Sequence, residues 1–266
     1  MHQNKLKAIE ASIKAGEAIM NIYKQEFEVE YKDDNSPLTV AGQEANKVIM
    51  SYLETTPIPI ISEENKSIDY SERKSWKTCW IVDPLDGTKG FVKKNGEFTV
   101  NIALIDEQKS IFGVIYVPAQ RILYVGDVET QTSYKVEVPQ GEFDVDILLK
   151  KANSLKPSQS SNPIRVVGSR SHMNQDTLDY VEKLKDTHHK PVEIVSKGSS
   201  LKFCLVAEGE ADVYPRYAPT MEWDTAAGQA ICKAVGLRVI SLDTNEEMLY
   251  NRENLLNGYF HVKTTL

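Results

Sequence analysis

Trp80-Ile81-Val82-Asp83-Pro84-Leu85-Asp86-Gly87-Thr88 starts as an apolar strand and ends as a turn. Trp80, Ile81 and Val82 suit a buried strand that delivers Asp83 at its end. Pro84 fixes φ and removes a donor, so the strand stops there. Asp86 follows three residues after Asp83, a separation that a turn closes onto the same side. Gly87 permits a tight backbone, and Thr88 opens a short helix with free amides. Two carboxylates then stand beside an anion site, which repels a phosphate unless cations lie between. Hard divalent ions resolve the conflict. Oxygen ligands suit Mg²⁺, and paired metals about 3.5–4 Å apart clamp both oxygens of a phosphoryl transfer. Taken alone, the same residues also fit an ordinary turn.

Two further acidic segments flank this one along the chain. Ile61-Ser62-Glu63-Glu64 runs a strand into two carboxylates; by itself it reads better as a solvated acidic turn. In Trp223-Asp224-Thr225-Ala226-Ala227-Gly228, the aspartate precedes a helical pattern and is explained equally by an N-cap. All three together, set after apolar strands or at a helix start, are harder to assign to turns and caps.

Outward from the central strand, the apolar pattern divides the chain. Leu6, Ile9, Ile13, Met20 and Tyr23 predict a helix over 4–24, and Ala41 to Leu53 a second one. Phe27, Val29 and Tyr31 alternate as a short strand, and Ile58, Ile60 and Ile61 form another. Runs at 79–82, 98–105, 111–117, 122–125 and 134–138 are joined by short turns, which favours an antiparallel meander. A helix near 144–154 closes this half. KPSQSSNP (156–163) has two prolines and no apolar periodicity, so the boundary is set between 1–158 and 159–266. Beyond it strands (164–167, 192–195, 211–214, 237–240, 259–262) alternate with helices (174–186, 199–208, 224–235), an α/β rhythm.

The 266 residues are 41% hydrophobic and 26% charged, ordinary for a globular chain and unlike collagen, coiled coil or disorder. Lys+Arg 31 against Asp+Glu 38 leaves −7. That balance argues against a nucleic-acid polymer or an anionic membrane as general partner. No apolar run is long enough for a transmembrane segment, and MHQNKLKAIEASIK (1–14) has no secretory h-region. Cys79, Cys204 and Cys232 are odd in number and far apart, which fits buried thiols in a reducing cytoplasm. Peripheral membrane contact through the first helix stays open.

WIVDPLDGTKGF (80–91) resembles the central signature of the inositol monophosphatase superfamily, Mg²⁺-dependent and lithium-sensitive phosphatases. Ser62-Glu63-Glu64 and Trp223 to Gly228 match its other two motifs in order, so the likeness covers nearly the whole chain. Lys89, Gly168-Ser169-Arg170-Ser171-His172, Gly198 to Cys204 and Ala211 to Arg216 are similar to its 3′(2′),5′-bisphosphate nucleotidase branch.

The resemblance implies a layered α-β-α-β-α sandwich with the cleft between its halves. It implies two or three Mg²⁺ held by Glu63, Asp83, Asp86, Asp224 and the Leu85 carbonyl, with Asp83 bridging two ions. Gly87 and Thr88 are expected to bind the scissile phosphate, with Asp83 and Thr88 as the catalytic pair and the Thr88 hydroxyl aligning water. His172, Ser199, Lys202 and Arg216 are expected near the nucleoside and its second phosphate; without the family, Lys202 and Arg216 would read as surface ion pairs. The implied reaction is 3′-phosphoadenosine 5′-phosphate plus water giving AMP and phosphate, in a monomer or dimer. Alternatives are inositol- or sugar-phosphate hydrolysis, a catalytically weak nucleotide-binding protein, and a purely structural acidic protein. The weak-binding alternative rests on one departure. The family pattern reads SPLTxAD, with that aspartate assisting the water through the threonine. Here Ser36-Pro37-Leu38-Thr39-Val40-Ala41 is followed by Gly42, so reduced activity is expected.

Overall fold

A computed structural model describes residues 1–25, 37–65, 68–159, 162–168 and 174–266. The strand expected at Phe27, Val29 and Tyr31, together with Ser36, Ser160, Ser161 and the 169–172 part of the branch motif, lies outside the described residues.

Helices α1 (His2–Tyr23) and α2 (Pro37–Leu53) lead into a sheet of β1 (Ile60–Ser62), β2 (Thr78–Asp86), β3 (Thr99–Asp106), β4 (Lys109–Val117), β5 (Ile122–Asp127), β6 (Thr132–Glu137) and β7 (Asn153–Ser154). These strands lie in chain order across the sheet. From β2 onward all neighbours are antiparallel, as short turns require. The short helices α3 (Tyr70–Arg73), α4 (Thr88–Val92) and α5 (Val145–Lys150) fall between strands. The helix expected over 144–154 is capped at its start, where Asp144 accepts from Ile147 N at 2.9 Å, and stops at Lys150. Asn153–Ser154 extends the sheet instead.

The two-residue period of β2 sorts its side chains between two cores. Trp80 and Val82 pack with Ile9, Ile13 and Ile49 under α1 and α2. Cys79 and Ile81 face the other way, into a core shared with the second half of the chain. That half holds β8 (Ile164–Gly168), α6 (Gln175–His188), β9 (Val192–Ser196), α7 (Leu201–Ala207), β10 (Val213–Arg216), β11 (Thr220–Met221), α8 (Glu222–Ala234), β12 (Val239–Ser241), β13 (Leu256–Asn257) and β14 (Phe260–Lys263). Its main sheet has the order β12-β14-β10-β8-β9, and β11 pairs β13 separately. The strand expected at 211–214 starts two residues later, because Asp212 is engaged by Arg165 (Arg165 Nη2 to Asp212 Oδ1, 2.9 Å).

Helices α7 and α8 fill the space between the sheets, and Val181 and Leu184 of α6 cover the far face of the second sheet. The layers therefore run α-β-α-β-α. Glycines bring α8 onto the first sheet: a Cβ on Gly113 would lie 2.3 Å from the Ala227 carbonyl oxygen, and one on Gly126 2.4 Å from Ile231 Cα. No side chain fits between these backbones, so the sheet surface sets the position of α8 and of Asp224 at its start.

Candidate active site

Parallel pairing of β1 with β2 (Ile61↔Ile81, Ser62↔Val82) brings Glu63 next to Asp83 at the ends of the strands. The Glu63 N–H continues the ladder to the Val82 carbonyl at 3.2 Å, and the two carboxyls are close enough to interact. Beyond Asp83 the pairing with β3 is irregular up to Asp86. The Leu85 N–H turns back to Asp83 Oδ1 at 3.0 Å, the tight reversal that Pro84 and the aspartate favour. Gly87 then adopts φ 88°, and a Cβ there would meet the Glu97 carbonyl oxygen at 2.6 Å and Ser199 Cβ at 2.9 Å. Only glycine fits that left-handed, crowded turn.

Asp224 arrives from the other half. It is not the N-cap: the helix begins at Glu222, and Asp224 reaches back from the third position to accept from Met221 N at 2.7 Å. The start of α8 is anchored by buried Glu222, which accepts from Asn251 N at 2.6 Å and Arg252 Nε at 3.0 Å. As a result Asp83, Asp86 and Asp224 each offer a carboxylate oxygen, all within 4.8 Å of one another. Burial and the charges of Glu63, Asp86 and Asp224 hold the Asp83 carboxyl well above its ordinary range. Burial, then Asp86, pushes Asp224 up to about 7, and burial likewise raises Glu63. An all-oxygen cluster of mutually repelling carboxylates matches a hard divalent cation, with no nitrogen or sulfur to favour a softer one.

A cleft of about 270 Å³ opens beside the cluster, between Asp86, Gly87 and Thr88 on one wall and Ser199, Lys202, Arg216 and Asp224 on the other. Lys202 is buried; its Nζ donates to the Ser199 carbonyl at 2.5 Å and lies 5.6 Å from the Tyr214 ring centroid. Burial lowers its pKa to about 8, opposed by Asp86 and Asp224. The Arg216 guanidinium rests on the carbonyls of Ala218 and Pro219, at 3.1 and 3.2 Å. Neither cation is the surface ion pair that residue type alone suggests. Ser199 stands at φ 48° at the start of the same loop.

A model of the inositol monophosphatase family matches residues 2–264. The chain belongs to the inositol monophosphatase family. It is 42% identical over 252 residues to the 3′(2′),5′-bisphosphate nucleotidase CysQ of Salmonella typhimurium, covering 93% of this chain and 94% of that one. The CysQ protein of Escherichia coli K12 shows the same identity and coverage. The crystal structure of CysQ from Bacteroides thetaiotaomicron, a bacterial member of the family, superposes with a TM-score of 0.91 at 45% identity, covering 99% and 98% of the two chains. Solved structures at lower identity, such as the extragenic suppressor protein suhB from Bartonella henselae (TM-score 0.68, 20%), share the fold.

Of the residues that the family signatures single out, the structure gathers Asp83, Asp86 and Asp224 into one cluster, and Ser199, Lys202 and Arg216 along the wall of the cleft beside it; Glu63 stands next to Asp83 but is exposed and lines a separate hollow with Asn65 and Trp223. His172 lies outside the described residues. Four residues to which the sequence assigned no role also converge here, Ser200 from within the Gly198–Cys204 run and three from outside any motif. Ser200, Thr99 and Asn101 surround Asp86, and buried Glu97 accepts from Gly198 N at 3.0 Å under the Ser199 loop. At the family's departure, the space beside Gly42 is filled: a Cβ there would meet Glu64 Oε1 at 2.7 Å.

The carboxyl shifts carry a pH prediction. Glu63, Asp83 and Asp224 bind their protons more tightly folded than unfolded, so their contribution to metal-free stability is present at acid pH and lost as pH rises, for Asp224 through about 7. Metal uptake needs the deprotonated forms. Titration calorimetry is expected to show Mg²⁺ affinity falling between pH 8 and pH 6, with proton release seen as a buffer-dependent enthalpy. A flat profile would mean that these carboxyls do not take up the cation.

Proposed function

We infer that the protein is a metal-dependent 3′(2′),5′-bisphosphate nucleotidase that hydrolyses 3′-phosphoadenosine 5′-phosphate to AMP and phosphate. The observation that carries this reading is the charge layout of one cleft: clustered carboxylates at one end, and the cations Lys202 and Arg216 within the same walls. A substrate with two phosphates fits such a layout, and relatives at 42% identity bear that activity in their name. Residues 1–158 would supply most metal ligands, and residues 159–266 the nucleotide contacts and Asp224.

Glu63, Asp83, Asp86, Asp224 and the Leu85 carbonyl would hold Mg²⁺, two or three ions, with Asp83 shared between sites. When bound, Mg²⁺ supplies positive charge that polarises the phosphoryl oxygens and makes water a better nucleophile. Gly87 and Thr88 orient the scissile phosphate, and the Thr88 hydroxyl aligns the attacking water. Arg216 offers a planar fork and Lys202 a point charge to the other phosphate, with Ser199 and His172 beside the nucleoside. No helix among the described residues is long and apolar enough to cross a membrane; a cytoplasmic monomer or dimer is the proposed form.

Phosphate release from the adenosine bisphosphate with Mg²⁺, abolished by EDTA, tests the reading. Arg216→Ala should raise KM for that substrate about 10- to 100-fold, the loss of one charge-assisted contact. It should leave inositol monophosphate hydrolysis nearly unchanged. Equal losses on both substrates, or a parent that prefers inositol monophosphate, would favour the inositol-phosphatase alternative.

A further inference from the structure

Asp86 is the most heavily hydrogen-bonded of the clustered carboxylates, and all the contacts fall on one oxygen. Its Oδ2 accepts from Ser200 N at 2.6 Å and Ser200 Oγ at 2.7 Å, and more weakly from Thr99 Oγ1 and Asn101 Nδ2, both at 3.4 Å. A carboxylate oxygen has about two lone-pair directions, so Oδ2 is saturated. Oδ1 is the atom left to serve the cluster.

Ser200 supplies the two short contacts, and it comes from the far half of the chain. Its Oγ also lies 2.8 Å from the Asp224 carbonyl oxygen and accepts from Asn101 Nδ2 at 2.9 Å. Its single hydrogen serves Asp86 or Asp224, or is shared between them. One buried hydroxyl thus touches the end of β2 and the first turn of α8, the two segments whose carboxylates must meet. A hydroxyl donates without charge; a lysine here would compete with the cation, and an aspartate would add to the repulsion. Asn101 supports the arrangement at a cost. It pairs with Asp83 across the strands. Its Oδ1 is the one buried side-chain polar atom among the described residues that lacks a partner. Turning the amide over would set that oxygen against the Asp86 carboxylate, so the orphan acceptor follows from keeping Nδ2 on Asp86 and Ser200.

We propose that Ser200 is a positioning residue of the metal centre, fixing which oxygen of Asp86 faces the cation and holding Asp86 in register with Asp224. The inference rests on the metal-dependent reading above. Titration calorimetry with Mn²⁺ and Mg²⁺ tests it without reference to activity. Ser200→Ala should weaken metal binding about 10- to 100-fold, the usual effect of removing a group that orients a ligand. Ser199→Gly, one residue away and compatible with its positive φ, should leave metal affinity within about twofold while raising KM for the nucleotide. Unchanged affinity in Ser200→Ala overturns the inference while the nucleotidase reading stands. A parent that binds metal but releases no phosphate from the bisphosphate overturns the nucleotidase reading and leaves Ser200 in place. Should Ser200→Ala fail to fold, Asn101→Leu removes the supporting donor at similar volume. It should also weaken metal binding about tenfold; no weakening counts against the proposal.

Discussion

Asp83→Asn is expected to melt above the parent in EDTA at pH 8 and to release phosphate on the order of 10³-fold more slowly in saturating Mg²⁺. Both effects come from the same repulsion. Asp83 is 1% exposed and faces the carboxyls of Glu63, Asp86 and Asp224, so its charged form is penalised in the metal-free fold. The amide keeps the oxygen that accepts from Leu85 N, and its NH₂ can donate to Glu63, so the turn survives. What is lost is one negative charge of the proposed metal centre, and cation charge stabilisation of several kcal/mol in the transition state is worth about a thousandfold in rate. What is gained is relief of the penalty, about 2–4 °C for each kcal/mol in a chain near this size. The sign of the pH dependence separates this from a generic packing effect. Burial and the neighbouring carboxylates raise the Asp83 carboxyl well above its ordinary range, so falling pH relieves the parent by protonation and the gain in melting temperature should shrink from pH 8 to pH 5. Melting scans at both pH values, with phosphate release alongside, check it. A variant that melts lower at pH 8 would mean that the carboxylates are not in conflict.

How much of this centre is readable in the sequence depends on how local each contact is. Asp83 and Asp86 are separated by a turn, so apolar strand, proline and glycine together announce them. Glu63 follows once Ile60–Ser62 is recognised as a strand, since one parallel register places it beside Asp83. Asp224 is readable as a residue of a helix start, but its frame is not. Helix α8 begins at Glu222 because that carboxylate is held by Asn251 and Arg252, about thirty residues further on. Thr99 and Asn101 give no signal, and Ser200 is marked only as part of the Gly198–Cys204 run with no role attached, because serine, threonine and asparagine occur wherever strands meet loops. Only the crossing of β3 with the α7 loop turns them toward Asp86. Gly113 and Gly126 likewise look like weak points in two strands, until α8 is seen resting on them. Only taken together do the acidic segments stand out from turns and caps, because apolar strands or a helix start lead into them, whereas neutral donors carry no such mark.

Gly42→Asp is expected to raise turnover about 10²-fold, the low end of what one well-placed carboxylate contributes to proton handling. The family pattern that this chain otherwise follows has an aspartate at this position. The neighbouring acid does not supply it from the helix: Glu44 is paired with Lys47 at 2.6 Å. The structure adds a complication that the sequence hides. The space beside Gly42 is taken by the Glu64 carboxylate, whose Oε1 would lie 2.7 Å from a new Cβ. Glu64 is exposed and the clash is with the far end of its side chain, so it can swing away at little cost. The Gly42→Asp protein should therefore fold with the parent's stability and displace Glu64. A cycle of Gly42→Asp, Glu64→Ala and the double variant separates the two sources of charge. If position 42 is an empty seat, Glu64→Ala leaves the parent's kcat unchanged and the double variant matches Gly42→Asp. If Glu64 already fills the seat, Glu64→Ala alone loses turnover, Gly42→Asp gains nothing, and the double variant restores the parent's rate. Because the proposed metal ligands are untouched in all three proteins, metal affinity should stay constant through the cycle, and any change in it would trace the effect to Glu63 instead.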